Sequence, residues 1–196
     1  MADTGNSQAN SESDEAGYGG PWGFTLGPGI VDVGISSNTD NEFNNDDGIG
    51  MMLHVYREHR FNRQFALFGG LGGLMSLDID ILSSSSVSLA AFADIGVTIG
   101  SHHEPGGVYF SLSGGAALIN IGDQSVEECT GLILFCDDKK GGNASGEVYR
   151  LAIGRVSRLG TRFQLSYTRV NGEGSDFGAR TVSFDAWHIS LGRSFD

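Results

Sequence analysis

Two stretches of strict alternation, residues 65–81 and 87–99, constrain the fold of this chain more than any other feature. In both stretches the odd positions are apolar or glycine, whereas the even positions hold mostly small or polar residues, apart from Phe68, Leu74 and Phe92. Successive side chains of a β-strand point to opposite faces, so each stretch predicts a strand with one apolar face. The four serines at 83–86 predict the tip of a hairpin between them. What the apolar face contacts, a protein core or lipid, then decides the class of protein.

Composition narrows the possible classes. The chain has 196 residues, of which 31 are glycine and 3 are proline, and its formal net charge is −12. This charge argues against nucleic-acid binding, which needs a basic surface. No apolar run approaches the roughly 18 residues of a transmembrane helix. The chain also starts without a signal peptide, as expected both for a mature exported protein whose signal has been removed and for a cytosolic one.

The alternation predicts one domain preceded by a leader. Residues 1–20 are polar, acidic and aperiodic, and predict a disordered acidic leader. Residues 21–196 predict an all-β domain of eight strands. In the first strand the apolar residues change parity across Gly27, Pro28 and Gly29, which predicts a bulge or kink. Residues 57–63 predict a short connection, and residues 122–145 predict the longest irregular stretch.

The connections alternate in character along the chain. Those after the first, third, fifth and seventh strands are polar, acidic or serine-rich, and those after the second, fourth and sixth are short and rich in histidine or arginine. Short turns at one end and longer loops at the other are typical of an antiparallel up-and-down transmembrane barrel. A soluble lipocalin-like barrel would also alternate. However, the even face of residues 65–99 carries only three charges, Asp78, Asp80 and Asp94, which is too few for a surface in water.

The whole pattern over residues 21–196 resembles a known family. Eight amphipathic strands, the segment RFNRQFAL at 60–67 and the ending WHISLGRSF at 187–195 are similar to the small outer-membrane β-barrels of Gram-negative bacteria, of the OmpA, OmpX, Ail and opacity type. In that family the last strand usually ends on a terminal aromatic residue, whereas here Phe195 is followed by Asp196. The resemblance implies a bacterial outer-membrane location, with the lipid bilayer and lipopolysaccharide as partners.

One pair of residues matches the chemistry of a hydrolase. His188 and Ser190 lie two apart on one strand face, as in outer-membrane lipid A deacylases, where such a pair supplies the base and the nucleophile. Asp185 has the wrong parity to orient the histidine, and Leu191 stands where that family usually has asparagine. The phase of the strand turns the pair toward the interior. We therefore interpret both residues as structural polar residues of the interior.

The inward-facing charges allow two interpretations. Asp78 and Asp80 share a face near the acidic end and could hold Ca²⁺, which prefers several oxygen ligands. The alternative is an interior polar network, because buried charges need partners. Asp94, Arg150, His54 and Arg162 have the phase to form it.

The longest predicted loop holds the only two cysteines, Cys129 and Cys136. In an exported protein we expect them to form a disulfide, and the alternative is two free thiols. The loop between them contains four large apolar residues that could form an exposed recognition tip, fold over the barrel mouth or extend the hairpin into the membrane. They are Leu132, Ile133, Leu134 and Phe135.

The sequence therefore predicts a monomeric, non-enzymatic outer-membrane barrel that needs no cofactor. By analogy with the family, its acidic extracellular loops would give it a structural role or an adhesion-type role toward an extracellular protein or surface. The alternatives are a small passive channel for apolar or minor solutes, a lipid-modifying enzyme and a soluble lipocalin-like ligand binder.

Overall fold

The computed structural model describes residues 22–36, 42–44, 48–77, 87–101, 104–121, 142–174 and 180–195. They form nine β-strands: β1 Trp22–Ser36, β2 Glu42–Asn44, β3 Gly48–Arg60, β4 Phe65–Leu77, β5 Val87–Gly100, β6 Val108–Ile121, β7 Gly142–Val156, β8 Thr161–Gly174 and β9 Arg180–Phe195. Among these residues there is no helix that is long and apolar enough to cross a membrane.

The eight long strands form one closed antiparallel barrel. Each pairs with its neighbours in chain order, and β1 also pairs with β9, from Trp22 opposite Phe195 to Ser36 opposite Thr181. The short strand β2 pairs only with the end of β1, at residues 34–36. The predicted eight-stranded up-and-down barrel is therefore confirmed, and β2 is an addition within the predicted acidic loop.

The two ends of the barrel differ. One end of the barrel, which we call the turn end, carries three short connections, residues 61–64, 101–107 and 157–160. The start of β1 and the end of β9 lie at the same end. Side chains close two of these turns. Asn62 Oδ1 accepts hydrogen bonds from the backbone N–H groups of Gln64 and Phe65 at 2.8 and 2.9 Å, and Ser157 Oγ accepts those of Leu159 and Thr161 at 3.2 and 3.1 Å. The opposite end, the loop end, carries three longer connections, residues 37–47, 78–86 and 122–141, and a shorter one, residues 175–179. This asymmetry matches the one predicted from the sequence.

Three local predictions are wrong. There is no bulge at Gly27, Pro28 and Gly29, since the register against β3 continues through them. The apolar residues change parity there because Val31 and Val33 face an apolar interior. β3 continues to Arg60, because residues 57–60 still pair with β4, and β7 begins at Gly142, because residues 142–145 pair with β6. The connections are therefore shorter than predicted.

The two faces of the wall differ in their side chains. Inward-facing residues alternate with exposed ones along every long strand. The exposed set is largely apolar, with Leu71 and Ile189 each 69% exposed and Ile95 68% exposed. In a soluble barrel these side chains would face inward. Here an apolar face lies outside, while the interior combines polar and aromatic side chains with a set of buried apolar ones.

Charged residues limit the height of this apolar outer band. On β7 it lies between Glu147 and Arg155, and on β9 between Asp185 and Arg193, all of them facing outward. Each pair is separated by eight residues, which corresponds to about 20 Å along the axis of a barrel whose strands tilt by about 40°. Such a band fits the hydrocarbon layer of a membrane. The wall therefore has the dimensions of a membrane-spanning barrel.

The position of this band can be tested with one substitution and a matched control. Leu151 faces outward midway between Glu147 and Arg155, whereas Leu159 lies in a turn and is 81% exposed. We expect Leu151→Arg to lower the free energy of unfolding in lipid vesicles by about 2–4 kcal/mol, because the arginine lies in hydrocarbon. Leu159→Arg should change it by less than about 0.5 kcal/mol. Denaturant titration followed by tryptophan fluorescence measures both values, and equal values would contradict the assignment.

Candidate functional site in the barrel interior

The sequence Gly-Gly-Leu-Gly-Gly at 69–73 shapes the interior on one side. Gly70 and Gly72 face inward from β4, between β3 and β5. A Cβ at Gly70 would overlap the His54 ring, and a Cβ at Gly72 would overlap the Phe92 ring. These two glycines therefore make room for large side chains from both neighbouring strands.

The central cluster occupies the space that these glycines leave. It consists of His54, Asp94, Ser113 and Arg150, all buried. Asp94 Oδ1 lies 2.8 Å from His54 Nε2, and its Oδ2 accepts a hydrogen bond from Ser113 Oγ at 2.6 Å. Arg150 Nε lies 4.0 Å from the same Oδ2. Three groups from β3, β6 and β7 thus meet one carboxylate of β5, as a buried charge requires.

A second cluster, the turn-end cluster, lies closer to the short turns. Arg162 Nη1 donates to Tyr56 Oη at 2.7 Å and lies 3.4 Å from Glu58 Oε2. The Arg162 guanidinium also lies 5.6 Å from the centroid of the Tyr109 ring. Tyr109 Oη donates to Gln164 Oε1 at 3.2 Å. These contacts join β3, β6 and β8 across the lumen.

The third level of the interior, on the loop side of the central cluster, is apolar. We call it the apolar layer. Its residues are buried and come from all eight long strands: Val31, Val33, Met52, Leu74, Ala90, Phe92, Ala117, Ile119, Ile121, Ala144, Val148, Val170, Val182, Phe184 and Ala186. This layer offers few polar partners to a passing ion; among the buried hydroxyls beside it is that of Thr168, which lies 3.6 Å from Met52 Sδ.

Together the three levels fill the lumen of the described barrel. Within it the buried cations Arg150 and Arg162 lie beside the buried carboxylates Asp94 and Glu58. An eight-stranded barrel is just wide enough for its own side chains to fill it. The interior of the described barrel can therefore hold the wall together by contacts across the lumen, and its charges lie at two levels on the turn side of the apolar layer.

In the described part of the chain, no carboxylate contacts the His188 ring as a catalytic orienting group would. The His188 and Ser190 side chains are both 0% exposed, so a lipid at the outer surface cannot reach them. Neither nitrogen of the His188 ring has a hydrogen-bond partner among the described residues. Asp185 faces outward, as predicted, where it accepts a hydrogen bond from Tyr167 and lies 3.8 Å from Arg169 Nε.

The structure brings three of the four predicted interior polar residues together and places the fourth elsewhere. Asp94, His54 and Arg150 meet in the central cluster, whereas Arg162 belongs to the turn-end cluster. Its partner Glu58 does not appear among the predicted interior residues, because the sequence predicts a connection rather than a strand over residues 57–63. The even phase that runs from Gly50 to Tyr56 would have placed Glu58 inside.

Other predicted residues lie outside the part of the chain that the structure describes. These are Asp78, Asp80, Cys129, Cys136, Leu132, Ile133, Leu134 and Phe135. The calcium site, the disulfide and the recognition loop thus stay predictions. Within the described ranges, no three histidine, cysteine, aspartate or glutamate side chains are grouped so that they could hold a metal ion.

The closed wall, its apolar outer band and its filled interior define the class of protein. It is an eight-stranded membrane-spanning β-barrel with short turns at one end and longer loops at the other, which is the architecture of bacterial outer-membrane proteins. The architectural resemblance inferred from the sequence is confirmed, and the predicted location in a bacterial outer membrane follows from it.

Comparison with known proteins adds little to this assignment. No protein-family model and no curated protein sequence matches the chain. Ail, the attachment invasion locus protein of Yersinia pestis, solved in complex with the heparin analogue sucrose octasulfate, is 10% identical, with a TM-score of 0.45 over 88% of this chain and 99% of Ail. Neisserial surface protein A is 8% identical, with a TM-score of 0.49 over 88% and 97% of the two chains. OprG from Pseudomonas aeruginosa is 11% identical, with a TM-score of 0.40 over 90% and 96%. Similarities this low assign no function.

Adjacent glycines on β4 provide a test of the interior packing. We expect Gly70→Ala to lower the free energy of unfolding by about 1–3 kcal/mol, because the new methyl group overlaps the His54 ring. Gly69→Ala is the matched control, since a Cβ there meets nothing closer than the Asp94 backbone oxygen at 3.9 Å. It should leave stability unchanged or raise it by up to about 1 kcal/mol. Denaturant titration of both variants in the same lipid checks this, and equal losses would contradict the packing described above.

Proposed function

We propose that this protein is a non-conducting outer-membrane barrel that acts as a structural or surface-interaction protein through its acidic loop end. The observation that carries the proposal is the filled interior. Both buried arginines lie beside buried carboxylates, and the apolar layer separates these charges from the loop end. A barrel filled in this way leaves the ends of the molecule as the regions available to a partner.

The charge of the loop end favours one kind of partner. Glu147, Glu173 and Asp185 lie near this end, with Arg169 among them. The connections 37–47 and 122–141 add further acidic residues in the sequence. Opposite charges steer association and raise its rate, so an acidic rim favours a partner protein that presents basic residues. The same rim disfavours a polyanion of the kind bound to Ail.

A passive channel and a lipid-modifying enzyme are less well supported. A channel needs a continuous polar path, and the apolar layer opposes one. An enzyme of the deacylase type needs His188 and Ser190 to meet a lipid, and the burial of both side chains opposes this. We therefore assign neither activity to the chain.

Cells that display the full chain provide the test of the surface role. We expect them to bind one or more members of a panel of immobilised extracellular-matrix proteins, with binding that weakens as salt rises. Replacing five acidic residues of the connection 122–141 by their amides should reduce that binding several-fold. The residues are Asp123, Glu127, Glu128, Asp137 and Asp138. Neutralising Arg155 and Arg158 at the turn end is the matched control and should have no effect.

One outcome would contradict the surface role, and a second would contradict the proposal as a whole. The first is binding that does not change when the acidic residues are neutralised, or no binding at all by displayed protein that migrates as a folded barrel on gels. The second is a series of discrete conductance steps from the purified protein in planar bilayers, where a general porin serves as the positive control. Steps would replace the proposal by the channel.

A further inference from the structure

Two residues of β4 face outward and are glycine, Gly69 and Gly73, although no neighbouring atom in the barrel excludes a larger side chain there. A Cβ on Gly69 would lie 3.9 Å from its nearest neighbour, the Asp94 oxygen, and a Cβ on Gly73 would lie 3.9 Å from the Ala90 oxygen. The inward glycines, in contrast, are required by the rings they contact. A strand glycine weakens the sheet and often marks a site where a ligand or another backbone approaches closely. Gly69 and Gly73 thus point to something that lies against the outer wall.

A groove runs over Gly69 on this wall. It is lined by Arg57 and His59 on one side, by Leu67 toward the turn end and by Ile95 on the other side. Glu58 and Phe68 also line it, but both are buried and face the interior. Arg57, Gly69 and Ile95 form one row across three neighbouring strands. Ile95 is 68% exposed, so its side chain projects from the barrel beside Gly69, where only backbone forms the surface. The groove is apolar on one side and cationic on the other.

The cationic side lies at the edge of the apolar outer band. Arg57 is exposed, and its guanidinium lies 5.6 Å from the centroid of the Trp22 ring. Tryptophan is typical of the depth at which lipid headgroups meet water. Arg57 makes no ion pair with any carboxylate of the described residues. His59 is also exposed, with its ring edge-on to Phe61 at 5.1 Å between centroids.

We propose that this groove binds an anionic phospholipid, with one acyl chain over Gly69 and its phosphate held by Arg57 beside His59. A guanidinium presents a planar set of N–H donors that fits phosphate oxygens. The positive charge of Arg57 favours a lipid over a second copy of the chain as the occupant of the groove. A twofold dimer through this face would bring the same patch of each copy together, and so arginine toward arginine. An anionic headgroup complements that charge.

Native mass spectrometry of the detergent-purified chain tests the proposal with dioleoyl phosphatidylglycerol and dioleoyl phosphatidylcholine as probes. The wild type should retain the anionic lipid several-fold more than the zwitterionic one. Arg57→Gln should reduce retention of phosphatidylglycerol to the level of phosphatidylcholine. Gly69→Val, which fills the groove, should reduce retention of both lipids.

Matched controls separate the groove from the general properties of the barrel. Arg193→Gln removes an exposed arginine at the same end but on β9, and Gly114→Val fills an outward glycine on β6. Neither should change lipid retention. If Gly69→Val fails to fold, as judged by migration of unheated samples on gels, Gly69→Ala repeats the test with a smaller side chain.

Three results would overturn the proposal. Equal losses in Arg57→Gln and Arg193→Gln would mean that the lipid follows overall charge. Unchanged retention in the folded Gly69 variant would mean that the acyl chain lies elsewhere. A dimer in size-exclusion chromatography with light scattering that Gly69→Val dissociates would identify a second copy as the occupant.

Discussion

Pairing of every backbone N–H and C=O is the constraint on which the rest of this structure depends. Within hydrocarbon an unpaired backbone group costs several kcal/mol, so a sheet can cross a membrane only if it closes on itself. The pairing of β1 with β9, from Trp22 opposite Phe195 to Ser36 opposite Thr181, removes the two free edges. Closure then fixes what each side chain contacts. Odd and even positions of one strand face lipid and lumen, and one residue of slippage would exchange them.

Closure with eight strands also makes the lumen narrow, and the interior residues follow from this width. Large side chains lie against glycines on neighbouring strands, as the His54 ring does against Gly70 and the Tyr109 ring against Gly154. Charges inside such a lumen must lie beside charges of the opposite sign, since water cannot solvate them freely. A filled interior supports a role at the ends of the molecule. Gly69 on the outer wall makes room for no neighbouring ring, which is why we propose that a lipid lies against it.

The sequence predicted the architecture well because period-two alternation reports directly on which face a residue occupies. It failed where that signal was ambiguous. The change of parity after Gly29 predicts a bulge or kink only if Val31 faces outward, whereas the apolar layer makes the interior apolar at that level. Glu58 was not predicted to face the interior, because the mostly polar residues 57–63 do not show the alternation that would mark the end of β3. The phase of Asp94, His54 and Arg150 predicts that they share the interior, but which charges pair across the lumen does not follow from the sequence. Arg162 and Glu58 are 104 residues apart, and only the stagger of the closed sheet brings them together.

The central claim is that the outward face of the wall lies in lipid, and spin labelling along β7 tests it most directly. Nitroxides at the odd positions from Glu147 to Arg155 would be compared for collision with oxygen, which concentrates in hydrocarbon, and with a water-soluble nickel complex. We expect the ratio of oxygen to nickel collisions to be highest at Leu151 and to fall toward Glu147 and Arg155. High nickel accessibility at Leu151 would mean that this face lies in water, and would contradict the account.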